Sequence, residues 1–242
     1  MARHRENRTS FGRDIDAIQS PDRIWLERGI ALGEWLHKLD LRRLSHSRSI
    51  EVTTDYTLET FIRDCREKIS DSECPADCAE KIAPSMYQLL NGNKNFLTPA
   101  HFQSDPKHYA RNAIYIDDND TLSLFALVWR PGQWTPIHDH GTWGVVGVLE
   151  GTLEERSFIR VDAQEKDALE NIELVRGGVI LLSPGTVTSF VPNPDHIHIT
   201  GNGDRQKKVV SLHLYGRAMA GFHIYDKETR TRKWAEITNN ES

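Results

Sequence analysis

Cysteine is scarce: Cys65, Cys74 and Cys78 are the whole complement, and all three lie in the N-terminal third. An odd count confined to one region argues against a disulfide framework and suits a reducing, cytoplasmic setting. Cys74-x3-Cys78 has no second Cys or His pair beside it in sequence, so plain helical cysteines are favoured over a zinc site. Long apolar runs are missing too. The richest stretches, Val145 to Leu149 and Val179 to Leu182, fall far short of a bilayer's thickness, so no membrane role is expected. The opening MARHRENRTSFGR is basic and lacks the apolar centre of a secretory signal, and residues 1–20 read as a disordered basic arm. Positive charge is not in excess, with 30 Lys and Arg against 35 Asp and Glu for a formal net charge of -5. No basic stretch is interleaved with aromatics, which argues against nucleic acid as a partner. Neither a tandem repeat nor a low-complexity tract occurs.

What is present is an ordinary globular balance, 27% charged against 38% hydrophobic over 242 residues, enough for one buried domain with a helical extension. From Pro21 to Asn91 apolar residues recur at helical spacing in three segments, around Ile24 to Leu39, Leu58 to Ile69 and Met86 to Leu90. Residues 21–105 are therefore expected to form a helical segment packed on the C-terminal part of the chain. From 106 to 242 the texture changes to short Val-, Ile-, Leu- and Phe-rich pieces divided by Gly, Pro, Asn and Asp. That pattern predicts a mainly β antiparallel unit, a sandwich or small barrel. The expected strands are Ala113 to Ile116, Leu122 to Trp129, Trp134 to His138, Gly144 to Glu150, Leu153 to Arg160, Ile172 to Val175, Val179 to Leu182, Thr188 to Val191, His196 to Thr200 and Val209 to Tyr215. Beyond Arg217 the charged stretch Lys227 to Lys233 reads as a solvated end.

The sharpest local feature is Pro136-Ile137-His138-Asp139-His140. On a strand, residues i and i+2 share a face, so the two imidazoles would converge. A lone His-x-His lines a solvated sheet face more often than it binds a metal, and a third ligand is needed; His196, His198 and His213 are the candidates. Gly132 lies six residues before His138 and Gly151 eleven after His140, so this segment resembles the first motif of the cupins, G-x5-H-x-H with a distal glycine. The glutamate that usually completes that motif would fall near Gly144 and is absent. Gly178, Pro184, Gly185, His198 and Asn202 resemble a stretched second motif.

Within the cupins the chain resembles the thiol dioxygenases, of the cysteine dioxygenase and 3-mercaptopropionate dioxygenase type. Tyr109-Ala110-Arg111-Asn112 is similar to that family's substrate-arginine segment, and Trp129 precedes His138 by nine residues. HDHGTWGVVGVLEG reads like bacterial members, and Ser211-Leu212-His213-Leu214-Tyr215 is similar to the family's Ser-His-Tyr relay. The resemblance implies a double-stranded β-helix, or jelly-roll barrel. It also implies one Fe(II) per chain held by His138, His140 and His198, with His198 preferred to His196 and His213 as third ligand. Arg111 would clamp a substrate carboxylate, since a guanidinium offers two parallel donors that match it. Ser211, His213 and Tyr215 would form the catalytic row, and the partners would be a small thiol and O2, giving a sulfinic acid. Gly144 stands where animal members carry the cysteine that cross-links to the tyrosine, so no Cys-Tyr thioether is expected. Arg111 points to cysteine as substrate, whereas HDHGTWG points to 3-mercaptopropionate or another mercapto-carboxylate; cysteine is the first choice. The rival readings are a cupin of different chemistry and a non-enzymatic small-molecule-binding cupin. Arg111 and the Ser211-His213-Tyr215 row discriminate against the former, and the retained histidines against the latter.

Overall fold

In a computed structural model of the chain, the residues described are 55–119, 121–192, 196–217 and 219–236. The basic arm and the first of the three expected helices lie outside them. Contacts divide the chain into Met1–Ser49 and Ile50–Ser242, and all the described residues belong to the second unit.

Two helices come first. α1 (Leu58–Ser70) starts at Thr57, whose hydroxyl accepts from the Thr60 N–H at 3.2 Å, and α2 (Pro75–Asn91) starts with proline in its first turn. α1 buries Phe61, Ile62 and Cys65, and α2 buries Cys78, Ile82, Met86, Leu89 and Leu90. Both faces pack on Leu122, Leu124, Ala126, Val145, Leu212 and Leu214, the outer face of a sheet. No helix among the described residues is long and apolar enough to cross a membrane.

The strands are β1 (Ala110–Ile116), β2 (Ser123–Trp129), β3 (Ile137–His138), β4 (Gly144–Glu150), β5 (Leu153–Arg160), β6 (Leu174–Leu182), β7 (Val187–Phe190), β8 (Ile197–Gly201), β9 (Val209–Tyr215), β10 (Gly221–Asp226) and β11 (Thr231–Glu236). They form two sheets, β1-β2-β9-β4-β7 and β11-β10-β3-β8-β5-β6, with every pairing antiparallel. This is the double-stranded β-helix. Its first sheet is sandwiched between the helices and the second sheet, which explains why β2 and β9 are buried along their whole length. On β2, Leu124 and Ala126 face the helices while Phe125, Leu127 and Trp129 face the interior. Along β9, Leu212 and Leu214 face the helices, so Ser211, His213 and Tyr215 are the residues turned inward.

Three strand expectations need correction. The stretch Trp134 to His138 shortens to two residues, because Pro136 has no N–H to donate; Trp134 survives only as an isolated bridge to Gly201. Ile172 to Val175 and Val179 to Leu182 merge into β6, since Gly177-Gly178 runs through the edge of the sheet beside an irregular register at Arg156/Phe158 instead of turning. The supposed solvated end is a hairpin, β10 and β11, and β10 pairs with β3. Its charged residues cluster at the turn, where non-glycine Arg230 takes a φ of 58°.

Candidate metal and substrate site

Between the two sheets lies a small cavity lined by Tyr109, Arg111, Trp129, His138, His140, Phe190, His198, His213, Tyr215 and Phe222, among others. His138 ends β3 and pairs directly with His198 on β8. His140 lies beyond the strand, two residues on, just before Gly141, whose φ is +60°. The three rings meet: centroids are 4.8 Å apart for His138 and His140, 4.6 Å for His138 and His198, and 4.9 Å for His140 and His198. One nitrogen from each lies within 4.8 Å of the others, and all three residues are buried.

Burial holds all three imidazoles below their ordinary pKa, His138 and His140 well below it, with neighbouring imidazoles adding to the effect. For His198, hydrogen bonding to Glu155 opposes the shift without cancelling it. Neutral imidazoles have a lone pair to give, as metal ligation requires. His138 Nδ1 faces the Pro136 carbonyl at 3.1 Å and His198 Nδ1 faces Glu155 at 3.1 Å, fixing both rings with Nε2 free. His198 Nε2 and His140 Nδ1 are buried without a hydrogen-bond partner. Three neutral nitrogen donors converging in a buried pocket, one of them orphaned at Nε2, fit a transition-metal ion.

The other two candidates for third ligand are otherwise engaged. His196 precedes β8 and points its Nε2 at Glu155, 3.2 Å away, with its ring stacked on Phe190. Glu155, His196 and His198 form a second group of possible ligands, but Glu155 bonds the far side of His198 and acts on its orientation. Burial would raise the Glu155 carboxyl, yet hydrogen bonds from His196 and His198 outweigh that and hold it below the usual range. His213 has both nitrogens occupied, by Ser211 Oγ at 2.9 Å and Tyr215 Oη at 3.3 Å. Trp129 donates its Nε1–H to Ser211 Oγ at 3.0 Å, extending the row by one residue. Burial, with Arg111 nearby, lowers His213 to about 3, and burial raises Tyr215 to about 12 against the pull of Arg111.

Arg111, on β1, projects inward with 7% exposure. Its guanidinium lies 4.4 Å over the Phe125 ring and 5.9 Å from the Tyr215 ring centre, and its Nε and Nη2 are buried without a partner. A buried cation with unused donors is costly, and an anion entering the cavity would satisfy it. The described structure thus brings His138, His140, His198, Arg111, Ser211, His213 and Tyr215 to one cavity.

Several neighbours carry little signal in the sequence. Glu155 announces itself only as a charged residue in an inward register two positions after Leu153. Phe190 fills the space beside Gly144: a Cβ there would lie 2.3 Å from Phe190 Cζ and 2.9 Å from the Leu214 carbonyl oxygen. Asn202 of the second motif is a loop clamp, donating to the carbonyls of Trp129 and Lys207. Trp129 stacks on Tyr109 at 4.5 Å and lines the cavity, whereas Trp143 packs in the helix-facing core.

Among solved structures, the chain is similar to a conserved double-stranded β-helix protein from Klebsiella pneumoniae at 16% identity, covering 52% of this chain and 92% of that one with a TM-score of 0.38. It is also similar to an RmlC-like cupin protein from Ralstonia eutropha at 11% identity, covering 54% and 68% with a TM-score of 0.37. The sequence profile of the family described as cysteine dioxygenase type I matches residues 49–228. With three quarters of its length matched by that profile, the chain belongs to the cysteine dioxygenase type I family of cupins.

Proposed function

We propose that the protein is an iron-dependent thiol dioxygenase that converts a small thiol carboxylate, cysteine first, and O2 into the sulfinic acid. The observation that carries this reading is the pairing, in one cavity, of three converging imidazoles with a guanidinium whose Nε and Nη2 are buried without a hydrogen-bond partner. His138, His140 and His198 would hold the iron. Ferrous iron, when bound, supplies the redox chemistry by which a thiolate and O2 combine at neutral pH. The atoms balance without a co-reductant: both oxygens end on sulfur, which supplies all the electrons that O2 takes.

The chain's own residues do the rest. Arg111 receives the carboxylate through Nε and Nη2, and Phe125 beneath it holds the guanidinium plane. That anchorage sets the reach of the substrate, so its sulfur is presented to the histidine face as a positioned group. Trp129 donates to Ser211, freeing the serine hydrogen for His213 Nε2. His213 then carries its proton on Nδ1 and donates to Tyr215 Oη, leaving the phenol hydrogen for whatever occupies the cavity. Phe190, Trp129 and Phe222 exclude water. The three unpaired thiols suit the cytoplasm.

A second reading, 3-mercaptopropionate or another thiol acid without an amino group, is favoured by one observation. Among the described residues, the only acidic one lining the cavity is Glu155, and both its oxygens are engaged by His196 and His198, so an ammonium has no anionic partner waiting. Oxygen uptake by iron-loaded protein across cysteine, 3-mercaptopropionate, mercaptosuccinate and cysteamine tests both. Uptake with sulfinate formation is expected for thiols bearing a carboxylate and not for cysteamine. The larger kcat/KM between cysteine and 3-mercaptopropionate decides the substrate, and silence with every thiol refutes the activity.

A further inference from the structure

The segment that carries two of the three histidines is the least supported strand of its sheet. β3 has two residues, tied to β8 by one residue pair and to β10 by two. His140 lies beyond even that pairing. Main-chain hydrogen bonds alone leave the direction of residues 138–140 weakly fixed.

The side chain between the histidines, Asp139, is 5% exposed. Its Oδ1 accepts the His223 main-chain N–H at 3.0 Å. Oδ2 accepts the Tyr225 hydroxyl at 2.9 Å and faces His223 Nδ1 at 3.1 Å, while the Asp139 N–H donates to the His223 carbonyl at 3.2 Å. Arg232 of β11 stands 3.9 Å from Oδ2 and donates to Tyr225 Oη at 3.2 Å and to the Ala168 carbonyl at 3.0 Å. Both the main chain and the side chain of Asp139 are therefore fastened to the hairpin. A buried carboxylate is costly to hold, and here the cost is offset by the donors of His223 and Tyr225, with Arg232 behind them. What the carboxylate adds is direction: accepting at both oxygens, it fixes the peptide units that aim the rings on either side.

We propose that Asp139, buttressed by Tyr225 and Arg232, is a positioning residue that aims His138 and His140 at a shared metal ion. The proposal rests on the reading of the histidines as a metal site, and goes beyond it in giving the C-terminal hairpin a part in metal affinity. Co(II) is the probe, titrated into metal-free protein by its visible absorption and by chelator competition, with thermal unfolding of the metal-free form recorded in parallel. Asp139→Asn, which keeps the shape and loses an acceptor, is expected to weaken Co(II) roughly 10- to 100-fold and to change the band pattern. Tyr225→Phe is expected to weaken it roughly three- to tenfold, and to add nothing in the Asp139→Asn background because it acts through that carboxylate. Unchanged Co(II) affinity and spectrum in both single variants, with only the unfolding temperature lowered, overturns the proposal. So does a Tyr225→Phe effect that adds in full to that of Asp139→Asn. Should Asp139→Asn fail to fold, Tyr225→Phe alone decides by the same affinity readout. Because Co(II) binding needs no turnover, a wild type that binds Co(II) but, iron-loaded, oxidises no thiol sinks the proposed activity and leaves this inference standing.

Discussion

Replacing Arg111 by methionine separates a substrate clamp from an ordinary structural arginine, because the two predict opposite effects on stability. Methionine keeps much of the length and apolar stem and removes the charge. In the metal-free, substrate-free protein the guanidinium has Nε and Nη2 buried without partners, and its compensating contact is the Phe125 ring at 4.4 Å. Losing that cation–π contact costs about 0.5–2 kcal/mol, while relieving an unpaired buried charge returns about 1–4 kcal/mol. The net effect is a gain of roughly 1 kcal/mol, a rise in unfolding temperature of about 2–4 °C for a chain of this size. Binding moves the other way. Removing one partner of a desolvated, doubly hydrogen-bonded ion pair costs about 3–4 kcal/mol, or two to three orders of magnitude in affinity. Since the carboxylate contact is present in ground and transition states alike, the loss appears mainly in KM. Oxygen uptake against thiol concentration, beside thermal unfolding, reads both quantities. Bound iron is expected to be unchanged, because no metal-facing nitrogen contacts Arg111. A kcat/KM within about threefold of wild type, or a variant that unfolds several degrees lower, refutes the clamp and makes Arg111 part of the scaffold.

Two further perturbations probe the same cavity. In the metal-free protein, His138, His140, His198 and His213 all sit below the ordinary imidazole pKa because they are buried. The unfolded chain takes up protons near pH 6.5 that the folded chain refuses, so this stability is full above that value and declines as pH falls below it. His138, His140 and His213 are each expected to cost roughly 1 kcal/mol between pH 6.5 and 5.5, with His198 acting in the same direction; an unfolding temperature flat over that interval contradicts the burial. At Gly144, a side chain would meet Phe190 at 2.3 Å and the Leu214 carbonyl at 2.9 Å. Gly144→Cys is expected to destabilise by about 1–3 kcal/mol and to leave intact mass at the value for an unmodified chain; a thioether to Tyr215 formed without removing Phe190 breaks this reasoning.

How much of the molecule is legible in the sequence depends on how local each signal is. His138 and His140 are legible because two residues in one short segment specify a shared face, and α1, β2, β4, β5 and β9 because their patterns continue for seven residues or more. The preference for His198 over its neighbours rests in the sequence on a family resemblance, His198 with Asn202, and not on strand periodicity, which puts His196 and His198 on one face. In the structure what separates them is a residue far away, Glu155 on β5, which engages His196 Nε2 and His198 Nδ1. Asp139 escapes notice for the same reason. An aspartate between two histidines reads as a solvated spacer until the chain returns at His223 and Tyr225, 84 and 86 residues later, to bury it. The hairpin that does so is itself hidden, since Lys227 to Lys233 advertises solvent and its turn runs through a non-glycine residue at positive φ. The cavity's donors are thus written in local motifs, while the groups that aim them come from strands distant in sequence. The same division orders the expected damage: substitution of a donor such as His138 removes the site outright, whereas substitution of an aiming group such as Glu155 or Asp139 leaves every donor in place and degrades affinity by degrees.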